Sequence, residues 1–352
     1  MRQRAARAAN LPFDTRSMPE MILAAEADGQ QLYPSMRPTL VLDSPRFSLA
    51  EAQLLPMGGI SNASIIYCNE TGSWKFYQSD AYGFNNPSGS HTPNAIDVTL
   101  IGDSFIHGAC VPAEDEISTH LRSAGHAILN LGRGASDPLS ELGILVEYGA
   151  ASAPPIVVWS YYEGNDLHGL HRYGEHPFLS QYLDPTFSQN LTERQAEIDD
   201  LLIAFSDREM AAQLGNQGPH PVVRFLTLFE LRKLINAFSQ SHVSYDCHSA
   251  ELDLFEQILQ RAKDEVAKWD GQLLFLYLPT WGCFAEEPNC ALAKHDEIIA
   301  RAAKLNLPVI DLVPIMQAHP DPLSLFAFRL NGHYTSEGYH LVANTISTWL
   351  SK

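Results

Sequence analysis

Three short blocks of this chain carry the residue types needed for acyl transfer, two of them behind hydrophobic runs and the third ahead of the last amphipathic helix. Ser104 sits in Gly102-Asp103-Ser104-Phe105, immediately after the apolar run Val98-Thr99-Leu100-Ile101. A buried strand ending this way delivers a hydroxyl to the carboxyl edge of a parallel sheet, the edge where open α/β folds bind ligands. If the serine heads a helix, the first backbone N–H groups of that helix point towards its oxygen. That arrangement suits a nucleophile whose reaction develops an oxyanion. A serine hydroxyl is too weak an acid to attack an ester unaided at neutral pH, so a base must lie within hydrogen-bond reach. His333, between Gly332 and the Thr335-Ser336-Glu337-Gly338 segment that opens the last amphipathic helix, is the candidate base. Asn165, in Gly164-Asn165-Asp166 behind Ile156-Val157-Val158-Trp159, is the candidate amide donor to the oxyanion. An Asp-Ser pair at a strand end is also an ordinary helix N-cap, so the weight lies in the blocks occurring together and in order.

A fourth block, Asn130-Leu131-Gly132-Arg133-Gly134-Ala135, follows the apolar run Ala127-Ile128-Leu129. Together the four resemble the blocks of the SGNH (GDSL-like) hydrolase superfamily, over roughly residues 96 to 350. The resemblance implies a metal-independent serine mechanism without a cofactor. Ser104 would be the nucleophile and His333 the base. The oxyanion hole would comprise the Ser104 N–H, a backbone N–H of the second block and the Asn165 side chain. Two departures from the family stand out. Ala135 replaces a common Gly in the second block, which leaves Gly134 as a competing donor. Positions 330 and 331, where an Asp normally precedes the histidine, are Leu330 and Asn331. Asn331 is then expected to orient His333 through an amide or backbone oxygen, giving a Ser–His dyad, assisted or not by an acid from elsewhere in the fold. His168, His171 and His176 lack the spacing of a metal site.

The elements that must position these groups are legible as alternation of strand and helix. Short runs near 97–102, 127–131, 155–160, 272–278 and 307–312 are apolar on both faces, as buried parallel strands are. Helices are indicated at 118–125, 139–148, 253–269 and about 293–304. The expected fold is a three-layer α/β/α, doubly wound, parallel five-stranded sheet of flavodoxin-like type. An insertion of about 90 residues separates the third and fourth strands, with its helical part about 180–250 and helical spacing at 193–205 and 222–238. Residues 1–95 form an N-terminal extension in which 63–67 and 74–77 flank Asn69-Glu70-Thr71-Gly72 as a hairpin; residues 96–350 form the catalytic domain. Similar lead-ins accompany polysaccharide-related SGNH proteins.

Composition narrows the partners. The 352-residue chain has 45% hydrophobic and 18% charged residues, as globular proteins do, and a formal net charge of -18. That charge argues against nucleic acid, whose phosphates need clustered Lys and Arg. No stretch approaches the roughly 20 apolar residues of a transmembrane helix, and no signal peptide is visible. The opening Met-Arg-Gln-Arg fits a native start or a cut just past a removed anchor. Five cysteines leave at least one unpaired. Cys68 and Cys110 are expected as buried free thiols, and a local Cys283–Cys290 disulfide stays open. The resemblance favours an extracytoplasmic location, with the cytoplasm open. The expected activity is hydrolysis of an O-acyl ester, an O-acetyl group on a carbohydrate by resemblance, so the partner is a small acyl ester or acylated glycan. Two other readings stay open: an O-acetyltransferase with the same residues, and a glycan-binding module on a decayed hydrolase fold.

Overall fold

Five apolar runs pair into one all-parallel sheet in a computed structural model that describes residues 1–93, 95–215, 249–285 and 294–352. The strands are β4 (Val98–Ile101), β5 (Ile128–Asn130), β6 (Ile156–Tyr162), β7 (Gln272–Leu278) and β8 (Val309–Asp311). They follow three strands of a smaller sheet, β1 (Tyr33–Pro34), β2 (Ser64–Ile66) and β3 (Phe76–Gln78). In space the large sheet runs β5-β4-β6-β7-β8. Counted within the sheet this is the 2-1-3-4-5 order of flavodoxin-like folds, whose ligand crevice opens where the strand order reverses, beside the first strand. Here that strand is β4, and Ser104 lies three residues past its end.

Consecutive residues of each strand face opposite sides, and both sides are buried. Val158, Leu274 and Leu276 pack towards helices Ile117–Ser123 and Ser336–Leu350. Val157, Trp159, Phe275 and Tyr277 face Pro138–Ile144, Ser249–Ala267 and His295–Lys304. This two-sided cover explains why the strands read as unbroken hydrophobic runs. The helix expected over 139–148 is regular at Pro138–Ile144 and then widens into a five-residue turn, Leu145–Gly149. The insertion contributes the helix Gln195–Gly215. The helical spacing at 222–238 lies outside the described residues.

The N-terminal extension contributes to the same core. Met36, Val41, Leu54, Leu55, Met57, Ile60 and Phe84 belong to the cluster that includes Trp159 and Tyr161. In the small sheet β2 pairs antiparallel with β3, Ile65 opposite Tyr77, and parallel with the two-residue β1. The turn between β2 and β3 is tied by Tyr67 and Cys68 to Lys75 on the backbone, and by the Gly72 N–H donating to Asn69 Oδ1 at 3.0 Å. No described helix is long and apolar enough to cross a membrane.

Candidate active site

Ser104 is the first residue of the helix Ser104–His107, and Asp103 caps it, accepting the Phe105 N–H at 2.9 Å. Burial pushes the Asp103 carboxyl above its ordinary range, while bonds from Phe105 and the Asn165 amide pull it back. Ser104 itself is 8% exposed. His333 reaches it from the far end of the chain, with Nε2 2.8 Å from Ser104 Oγ. The Phe105 ring, its centroid 5.0 Å from the imidazole's, backs the histidine.

A carboxylate stands at the other ring nitrogen, and it belongs to Glu70 in the β2–β3 turn. Glu70 Oε2 lies 3.2 Å from His333 Nδ1 and accepts the His333 backbone N–H at 3.0 Å. Two bonds to one residue fix both the position of the loop and the rotation of the ring. Burial raises the Glu70 carboxyl, but the His333 side chain, its backbone N–H and the Arg2 guanidinium outweigh it, leaving the pKa below the ordinary value. Arg2 holds the second oxygen at 3.0 Å and donates to the Asn331 backbone carbonyl at 2.8 Å. A side chain at Gly332 would overlap that guanidinium and bring its Cβ to 2.7 Å from Glu70 Oε2, so only glycine admits this approach.

Asn331 therefore does not stand where the sequence reading puts it. Its place beside Nδ1 is taken by Glu70, and Asn331 presents its backbone oxygen to Arg2. Sequence adjacency suggested Asn331; the fold brings in a carboxylate 263 residues away. The cysteine expectation is corrected by the same stroke. Cys68 and Cys110 form a disulfide across 42 residues, joining the Glu70 turn to the segment just past Ser104. That pairing was the one available signal for Glu70: linking Cys68 to Cys110 sets the residue two past Cys68 beside the nucleophile block. Cys283 is free, its thiol 2.7 Å from Glu163 Oε2; Cys290 lies outside the described residues.

The remaining candidates line one edge. Asn165 donates its amide to Asp103 Oδ2 at 2.8 Å, which turns the NH2 group towards the serine loop. In the second block, Asn130 donates to the Ile106 carbonyl at 2.9 Å and accepts the Gly132 N–H at 2.9 Å, binding this loop to the nucleophile helix. Gly134 lies under Tyr67, whose hydroxyl a Cβ there would overlap. Ala135 adopts φ 51°, a left-handed conformation costly for a residue with a Cβ. Among the described residues the N–H groups of Gly134 and Ala135 donate to no backbone oxygen. Of the other histidines, His171 pairs with Glu251 at 2.7 Å, and His107 is buried against Tyr67 and Tyr77 with burial holding its pKa down at about 3.

No family model matches the chain, and no curated protein does. Solved structures do. An acetyl xylan esterase, AlAXEase, overlaps at 14% identity over 73% of this chain and 99% of its own, with a TM-score of 0.41. A lipase/acylhydrolase from Enterococcus faecalis does so at 14% identity, covering 72% and 95%, TM-score 0.40. A member of the lipolytic protein G-D-S-L family from Veillonella parvula DSM 2008 does so at 13% identity, covering 73% and 100%, TM-score 0.39.

Proposed function

We propose that this chain is a serine esterase of the SGNH type, cleaving O-acyl esters through an acyl-serine on Ser104. One observation carries the reading: a serine, a histidine and a carboxylate in line, with Ser104 Oγ 2.8 Å from His333 Nε2 and Glu70 on Nδ1. With the Nδ1 proton held by Glu70, Nε2 turns its lone pair to the serine hydroxyl. As Ser104 Oγ attacks the acyl carbon, its proton passes to Nε2, and Glu70 stabilises the imidazolium. The negative charge on the carbonyl oxygen is met by the Ser104 N–H, a second N–H from Gly134 or Ala135, and the Asn165 amide. Collapse of the tetrahedral adduct expels the alcohol, which takes the proton from Nε2. Water then repeats the sequence on the acyl-serine and releases the acid. The substrate is a small acyl ester or an acylated glycan, an O-acetyl carbohydrate by the resemblance of residues 1–95 to polysaccharide-related lead-ins.

The binding-module reading drew on a missing acid, and Glu70 removes that motive. The transferase reading differs only in the acceptor of the acyl group. Turnover of a chromogenic acetyl ester, with and without an added oligosaccharide acceptor, tests all three. Hydrolysis that Ser104→Ala abolishes, with an organophosphonate labelling the Ser104 peptide, is the expected result. Unchanged turnover in Ser104→Ala would overturn the serine mechanism, and acyl transfer to the sugar in preference to water would make the chain a transferase.

A further inference from the structure

The disulfide stands against the acid side of the site. Cys110 Sγ is 3.6 Å from His333 Nδ1, and the Glu70 carboxylate is 3.2 Å from the same nitrogen. One ligand atom from each of Glu70, Cys110 and His333 lies within 4.8 Å of the others. Tetrahedral zinc, with bonds of about 2.0–2.3 Å to sulfur, nitrogen and oxygen, sets neighbouring donors roughly 3.3–3.6 Å apart. The separations of 3.6 and 3.2 Å lie within about 0.1 Å of that range, and the third donor pair lies within 4.8 Å. In the disulfide the Cys110 sulfur carries no charge and is a poor ligand; reduced, it supplies the thiolate that zinc prefers.

We propose that the reduced form of this centre is a zinc(II) site, with Cys110 Sγ, His333 Nδ1 and Glu70 Oε2 as ligands, and that filling it silences Ser104. A dithiol reductant supplies two electrons and two protons, becoming a disulfide itself, and Cys68 and Cys110 become thiols. Zinc binding expels the Cys110 proton to solvent. It also takes the lone pair at Nδ1, so the single proton of the neutral imidazole moves to Nε2. That nitrogen then faces Ser104 Oγ as a donor and cannot accept the serine's proton. Arg2 opposes a cation by its charge, but it holds Oε1; Oε2 accepts the His333 backbone N–H and keeps a second lone pair for the metal. Cys110 is buried, whereas the His333 and Glu70 side chains are 22% and 18% exposed, so the metal enters from their side. Cys68, its Cα 5.5 Å from that of Cys110, is the nearest further sulfur for the fourth position, which water fills otherwise.

The binding half of the proposal stands without the esterase reading; the silencing half rests on it. The experiment is cobalt(II) titration of the full chain, followed by zinc competition, on the oxidised protein, the dithiol-reduced protein and the reduced Cys110→Ser variant. The reduced protein is expected to show thiolate-to-cobalt absorption in the near ultraviolet and intense tetrahedral d–d bands. Zinc should then displace the cobalt one for one. Oxidised protein and Cys110→Ser should lack these bands and bind at least about 100-fold more weakly, more than loss of an outer-shell partner costs. Cys68→Ser, which frees Cys110 without reductant, should reproduce the bands. Should reduction unfold the hairpin, zinc must restore the native circular dichroism, because a site present only in the folded state couples binding to folding. Equal affinity in Cys110→Ser, absence of the thiolate band, or no recovery of an unfolded reduced chain would each overturn the zinc site. Zinc bound with ester turnover intact would overturn the silencing alone, and zinc bound by a chain with no turnover in any state would fault the esterase reading instead.

Discussion

At the scale of single residues, the proposed mechanism turns on Glu70 beside His333. Its carboxylate meets both Nδ1 and the backbone N–H of the same histidine. Glu70→Gln keeps an oxygen for the backbone bond but removes the charge that stabilises the imidazolium. The expected result is a fall in kcat of about 10²–10⁴-fold with little change in KM, the signature of an interaction made in the transition state. Asn331→Asp, by contrast, adds a carboxylate where the place beside Nδ1 is already filled, and should not raise kcat. The lowered pKa of Glu70 also fixes a sign. A carboxylate depressed in the folded state adds stability above its unfolded pKa and loses it as pH falls through the folded value. The Glu70–His333 pairing is therefore intact through the neutral range and weakens only on strong acidification.

At the scale of elements, the parts that could be read from the sequence are those whose physics is local. Each large-sheet strand is apolar on both faces because helices cover both, and a run such as Leu273-Leu274-Phe275-Leu276-Tyr277 announces that directly. The hairpin around Asn69 to Gly72 was legible from its turn chemistry. What no local pattern announces is that a glutamate in that turn faces inward, since a solvated turn carboxylate has the same sequence signature. Ala135 adopts a left-handed backbone, a conformation costly for a residue with a Cβ. Ala135→Gly removes a Cβ strain of roughly 1–2 kcal/mol but adds unfolded-state entropy of about 0.5–1 kcal/mol, so urea unfolding should show a net gain of about 0.5–1 kcal/mol. Beneath the helix Ser104–His107, Glu116 is buried and takes the Asn85 amide at 2.8 Å. Burial, only partly offset by Asn85 and Arg122, pushes its carboxyl up to about 8. A raised acid contributes stability that is full below its unfolded pKa and lost as pH rises through the folded value. Glu116→Gln should therefore match the wild type near pH 4–5 and exceed it by at least about 1 kcal/mol at pH 9, since one pKa unit is worth about 1.4 kcal/mol. Parallel pH dependences for the two proteins in chemical denaturation would refute this.

At the scale of the whole molecule, residues 1–95 are part of the site and part of its core. They bring Glu70 and Arg2 to His333, and Leu54, Met57 and Phe84 pack in the cluster that holds Trp159. The disulfide closes a 42-residue span between the hairpin and the nucleophile segment. Constraining a loop of that length in the unfolded chain is worth about 4 kcal/mol by chain entropy. The Cys68→Ser/Cys110→Ser double variant should lose about 2–4 kcal/mol in denaturant unfolding, and an unchanged midpoint would show that the hairpin is held by packing alone. Glu70, Ser104 and His333 also have an order in time. Ser104 and His333 are 229 residues apart, and synthesis at about 5–20 residues per second separates them by roughly ten to forty-five seconds. During that interval a growing chain already carries the proposed nucleophile but not the proposed base. On the proposed mechanism, catalysis thus arrives late in the birth of each molecule, and a nascent chain whose synthesis stops short of His333 would meet esters in its surroundings without cutting them.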